Sequence, residues 1–216
     1  MAKPEPRRTQ ARGGRGEGTR RRIVEAALDT LKERGFAGAS AREIARRGSF
    51  NQALIFYHFG SVDEALLAAL DETSGQRMER YRAALEGVAS LPDLLGVAAE
   101  VYREDLAAGH ITVLAEMIAG ASAHPDLGPR IVERIEPWVA FTEEAVGRVL
   151  NGSPLAALVP VRDVAFAIVA LYLGLELLTH LQGDGSRTES LFALARSAAP
   201  LVAELLAGPA PVDLGR

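Results

Sequence analysis

Residues 40–59, read from Ala39 as ASAREIARRGSFNQALIFYHF, constrain the fold more than any other stretch of the 216-residue chain. Ser40 followed by Glu43 has the capping-box pattern: the hydroxyl accepts from the third helical amide and the carboxylate reaches back to the cap amide. A helix is therefore predicted from Ala41, with Ile44 and Ala45 on its buried side. Gly48 offers the left-handed backbone that ends helices cheaply. Asn51 can start a second helix by accepting from an orphan amide of its first turn, and Gln52, Ala53, Leu54 and Ile55 carry that helix forward. Two short helices joined by a glycine-containing turn of three to four residues form the helix-turn-helix arrangement.

Side chains in this element sort by what a duplex requires. Amides pair bidentately with adenine edges and apolar groups meet the thymine methyl, so Asn51, Gln52 and Ala53 are the candidate base readers; Asn51 has a purely structural alternative as a helix cap. Arg42, at the start of the first helix of the pair, is placed to meet a phosphate together with the helix dipole. Phe56 and Phe59 are expected in the core.

These residues resemble the N-terminal domain of tetracycline-repressor-like (TetR family) regulators. The resemblance runs over roughly residues 19–70, through Thr19-Arg20, IVEAALDTLKERGFAGASAREIA and NQALIFYHFGSVDEALLAAL, and is most specific at Phe56, Tyr57 and Phe59 around His58. It implies a helical homodimer that binds operator DNA and releases it when a small ligand enters the other domain, with Tyr57 and His58 donating hydrogen bonds to phosphates. Three positions depart from the family pattern: Gly48-Ser49-Phe50 where Ala-Gly-Val is usual, Asn51 where Ser is common, and Val62 where Lys is common.

The charge distribution agrees with a nucleic-acid head. Residues 1–60 hold 13 Lys+Arg against 6 Asp+Glu, a net of +7, whereas residues 61–216 carry a net of −11. A basic first part suits phosphates, and an acidic remainder keeps the rest of the chain off the duplex. Hydrophobic content of 48% with few β-branched runs favours an all-α protein. With no cysteine, disulfides and thiolate chemistry are excluded. No apolar stretch follows the N-terminal arginines, so no secretory leader is expected and the chain is read as cytoplasmic.

The expected organisation is a disordered basic arm over residues 1–18, a three-helix DNA-binding domain over 19–60, and a helical ligand-binding and dimerisation domain over 61–216, about nine helices in all. The arm is rich in Arg, Gly and Pro, with almost nothing to bury. The first helix starts near Thr19 and repeats Ile23, Ala27, Leu28 and Leu31 at helical spacing. It ends at Gly35, with Phe36 folding back, and Arg20, Arg21 and Arg22 at its start are candidate phosphate contacts. Ser61 with Glu64 repeats the capping box and opens a long helix through Leu66, Leu67 and Leu70 toward Leu85. Further helices are expected over about 92–108, 110–122 and 128–150, the last kinked or broken at Pro137.

Residues 162–181 are apolar nearly all round, which surface helices are not. A membrane span is the rival reading, but Glu176 and His180 lie inside the run and would be costly in lipid. Ala170 and Gly174 allow close approach of a neighbouring helix. With Leu191, Leu194, Ala195 and Ala198 on a helix over about 188–206, the pair is expected to form a four-helix bundle with a second copy.

There is no GxSxG, HExxH, Walker or dinucleotide-binding glycine pattern, so no catalytic residue, metal ligand or cofactor is assigned and the chain is not expected to be an enzyme. Glu176 and His180, four apart on one helix, read as a hydrogen-bonded pair rather than a metal site. A small-molecule effector pocket is expected among Tyr102, Glu116, Met117, Trp138, Phe141, Tyr172 and Glu176, each an aromatic, polar or soft side chain in otherwise apolar helix. The alternative function is a helical small-molecule carrier or sensor without sequence-specific DNA binding.

Overall fold

The computed structural model describes residues 10–207, all helix, turn or irregular backbone with no strand. The helices are α1 (Gln10–Gly38), α2 (Ala41–Gly48), α3 (Ala53–Phe59), α4 (Val62–Ala84), α5 (Leu91–Ala108), α6 (His110–Ala121), α7 (Leu127–Leu150), α8 (Val161–Gln182) and α9 (Ser186–Ala207), with a 3-10 turn at Pro154–Ala157. They fall into two compact units, one of Met1–Gly75 with Thr112–Ile131 and one of Gln76–Ile111 with Val132–Arg216. The first unit thus includes a segment distant in sequence, Thr112–Ile131.

In the first unit, Ile23, Ala27 and Leu31 of α1, Ile44 of α2, Ile55 of α3 and Leu66, Leu67 and Leu70 of α4 form one core, completed by Val113, Met117, Leu127 and Ile131. α1 begins at Gln10, nine residues before Thr19, so residues 10–18 continue the helix where a disordered arm was expected. Residues 1–9 of the expected arm lie outside the described residues. The helix breaks at Gly35, φ 66° and ψ 179°, where glycine tolerates a positive φ.

In the second unit, α5 packs on α9 and on α8. Tyr102 of α5 meets the rings of Tyr172 and Phe192, and its hydroxyl donates to Thr179 Oγ1 at 2.7 Å, which in turn lies 3.0 Å from Thr188 Oγ1. Val139, Ala165 and Val169 form a smaller apolar cluster with Ile135, Trp138 and Leu173. α7 continues through Pro137 rather than breaking there. The proline sits on the exposed side, while Trp138 and Val139 beside it are held by the cluster, so packing outweighs the one lost backbone hydrogen bond.

Candidate nucleic-acid interface and a buried polar cluster

The local physics of the helix pair begins at Ser40, whose hydroxyl accepts the Glu43 amide at 3.3 Å and caps α2. The reciprocal half of the capping box is replaced. The Ser40 amide donates to the Gly38 carbonyl, and the Glu43 carboxylate takes Arg46 at 2.6 Å and 3.0 Å. That hydrogen bond holds the Glu43 carboxyl below the ordinary carboxylate range. A two-pronged guanidinium is the stronger partner for a carboxylate.

The turn also differs in detail from the sequence expectation. The left-handed residue is Ser49, φ 53° and ψ 50°, not Gly48. Glycine is required at 48 for another reason: a Cβ there would run into the Phe50 ring and approach Ala26 Cβ at 2.9 Å. Phe50 fills the space beside α1, so the turn is packed as well as hydrogen-bonded. Asn51 then caps α3, its Oδ1 accepting the Ala53 amide at 2.9 Å, which leaves its side-chain N–H₂ directed elsewhere.

Arg42, Asn51 and Gln52 come together with Ala45, Arg46, Ser49 and Phe50 around an open concavity of about 520 Å³. Ala53 is exposed at the start of α3, Tyr57 is 81% exposed, and His58 is half-buried with its ring edge-on to Tyr57 at 5.0 Å. Phe56, expected in the core, is 50% exposed. A seven-residue helix buries one side, here Ile55 with Leu54 and Phe59, and Phe56 turns outward from it. The arginines at 20–22 are all engaged: Arg20 lies over the Phe59 ring at 4.8 Å, Arg21 is 3.6 Å from Glu25, and Arg22 Nη2 donates to the Gly48 carbonyl at 2.9 Å.

The residues expected to line an effector pocket divide between the units. Met117 is fully buried in the head core, and Glu116 accepts the Phe36 amide at 2.8 Å, so both are occupied in building the first unit. Tyr102, Trp138, Phe141, Tyr172 and Glu176 lie in the second. There the organising group is Asp105, which the sequence reading missed. It is wholly buried and accepts from Arg77, from the Tyr81 hydroxyl and from the Tyr172 hydroxyl, the last at 2.7 Å. Arg77 also lies over the Trp138 ring at 4.9 Å, and Phe141 meets Trp138 edge-on. Burial, and then the hydrogen bond with Asp105, push the Tyr81 hydroxyl up; burial followed by the Glu176 and Asp105 charges does the same to Tyr172. Glu176 is 2% exposed with Oε1 unpartnered, and burial followed by Asp105 raises its carboxyl to about 8. His180, one turn further along α8, is exposed while Glu176 is buried with Oε1 unpartnered, so the expected Glu176–His180 pair does not form. Ala99 and Tyr102, at three-residue intervals before Asp105 on α5, are buried with it.

α8 is long and apolar enough to cross a membrane. Phe166, Leu171, Leu178 and Leu181 on it, and Leu191, Leu194 and Leu201 on α9, are exposed in the single chain, as is Ala170. No group of three or more His, Cys, Asp or Glu suited to a metal ion occurs among the described residues.

Parts of this chain are similar to known proteins. Residues 23–70 match the model of the tetR family of bacterial regulatory proteins. A 49-residue stretch is 47% identical to an HTH-type transcriptional repressor of Mycobacterium tuberculosis, covering 23% of this chain and 26% of that protein. The match therefore spans about a quarter of the length of such relatives. Among solved structures, a TetR-family regulator from Cytophaga hutchinsonii is similar over 86% of this chain and 95% of its own, with a TM-score of 0.70 and 18% identity. The multidrug binding protein EbrR, complexed with imidazole, is similar over 90% and 98% of the two chains, with a TM-score of 0.59 and 26% identity.

Proposed function

We propose that the chain, whose residues 23–70 match the tetR family model, is a homodimeric transcriptional repressor that binds a pseudo-palindromic operator through that segment and is released by a small molecule. The observation that carries the reading is the convergence of Arg42, Asn51 and Gln52 on one concavity beside the exposed Ala53 and Tyr57. In this proposal α3 enters the major groove. Gln52 and the Asn51 side-chain N–H₂ read base edges, Ala53 meets a thymine methyl, and Arg42, Tyr57 and His58 hold phosphates. The exposed apolar residues of α8 and α9 are covered by the same residues of a second copy, giving two reading heads on one face of the duplex.

The effector site of the proposal is the second unit's polar cluster. Tyr102, Trp138, Phe141, Tyr172 and Glu176 supply aromatic walls and a carboxyl, with Asp105 and Arg77 fixing their positions. The likeness to a multidrug-binding protein over nearly the whole chain supports a small-molecule site. The proposal involves no catalysis and places the protein in the cytoplasm with its DNA. It is tested by two substitutions. Gln52→Ala is expected to change sequence preference; Arg42→Ala is expected to weaken every duplex alike and flatten the salt dependence by about one phosphate contact. Variants that bind DNA as the parent does would overturn it.

A further inference from the structure

Arg22 belongs to α1, yet its guanidinium reaches the turn between α2 and α3, where Nη2 donates to the Gly48 carbonyl at 2.9 Å and to the Ser49 carbonyl at 3.3 Å. The end of a helix leaves carbonyls without intrahelical partners and carries partial negative charge, so a guanidinium there answers both. The same turn is constrained from other directions. Ser49 is the one non-glycine residue with positive φ among the described residues, Gly48 is packed against Phe50 and Ala26, and the Phe50 amide donates to the Ala45 carbonyl at 3.1 Å. Asn51 and Gln52 follow this turn directly. Any freedom at Ser49 is passed to both, and hydrogen bonds to base edges weaken steeply with angle and distance.

We infer that Arg22 is a positioning residue for base reading: by holding the Gly48 and Ser49 carbonyls it fixes the entry of α3, and so sets discrimination between DNA sequences rather than adding a phosphate contact. The inference rests on the operator-binding reading above. It differs from the role expected of Arg22 from sequence, and the two have opposite signatures. A phosphate contact contributes equally to all duplexes and to the salt slope. A turn clamp contributes to the cognate duplex alone.

The test compares the parent with Arg22→Ala, Arg22→Lys and Arg42→Ala. Each is titrated with the operator selected by the parent from random duplexes and with a scrambled duplex, across a range of salt. Amide hydrogen exchange is followed in the free protein. Arg22→Ala is expected to lose about tenfold in operator affinity, the equivalent of one bidentate base contact, with scrambled-duplex affinity and salt slope unchanged. Its Ser49 and Phe50 amides should exchange faster, with Arg22→Lys intermediate because a single ammonium replaces the fork. Arg42→Ala should show the contrasting pattern of equal loss on both duplexes. Equal loss with a slope smaller by about 0.9 in Arg22→Ala would overturn the inference, as would unchanged operator affinity. A parent that selects no sequence would overturn this inference together with the operator reading, and the exchange rates would then show separately whether the turn depends on Arg22.

Discussion

The Glu116 carboxylate accepts the backbone amide of Phe36 at 2.8 Å, joining residues 80 apart in sequence within the first unit. The amide follows the helix break at Gly35, φ 66° and ψ 179°. Glu116→Ala leaves that donor without its charged acceptor and should cost about 2 kcal/mol in denaturant unfolding. Gly35→Ala should cost a similar amount, because its φ is 66° and a Cβ would stand 2.6 Å from Glu116 Oε2. Two variants as stable as the parent would show that the bond is incidental.

Adjacent residues of the turn between α2 and α3 should respond with opposite sign. Gly48→Ala forces a methyl into the Phe50 ring and is expected to destabilise by about 2 kcal/mol. Ser49→Gly removes the strain of a left-handed serine and is expected to stabilise by about 0.5 kcal/mol, after the larger chain entropy of glycine is set against it. Thermal unfolding of the two variants decides; a Gly48→Ala protein as stable as the parent would contradict the packing described.

Within the second unit, Asp105→Asn removes the partner of a largely buried guanidinium and should destabilise by about 3–5 kcal/mol. Glu176 predicts a pH dependence. Its carboxyl ionises near 4.5 when unfolded and near 8 when folded, so between those values the folded state holds the extra proton and stability falls as pH rises. Relative to Glu176→Gln, the parent should therefore lose about 3 kcal/mol on going from pH 4.5 to pH 7, and no more above pH 8. Denaturation curves for both proteins across that range test this. A difference independent of pH would mean that Glu176 is not held in its neutral form.

The exposed residues of α8 and α9 predict the assembly. Leu171 and Leu181, 63% and 72% exposed, lie on the face proposed to meet a second copy. The parent should sediment at twice its chain mass of 23.0 kDa, and Leu171→Glu with Leu181→Glu should sediment at the chain mass with unchanged helical content. A parent found as a monomer would contradict the proposed interface.

Local signals carried the helix pair. Ser40, Ser61 and Gly109 each act at the helix end where the sequence pattern puts them, since caps depend on residues within one turn. Arg42, Asn51 and Gln52 were legible as a group for the same reason. What the sequence hid was non-local. Nothing in the periodicity of α6 distinguishes a helix serving the head core from one serving the other unit, yet Val113 and Met117 join Ile23 and Leu67. Arg22 reads as one of three equivalent arginines until its reach to Gly48 is seen. The partners of Asp105, namely Arg77, Tyr81 and Tyr172, are all more than twenty residues away along the chain. That α7 runs on past Pro137 without a break depends on the packing of Trp138 and Val139, which is not visible along the chain.

The most direct test of the operator reading is selection of duplexes from a random DNA library by the full-length protein at near-physiological salt, where phosphate binding without sequence preference is suppressed. The account predicts enrichment of an inverted repeat whose half-sites are separated by a multiple of about one helical turn. Failure of a folded, effector-free protein to enrich any sequence would contradict it.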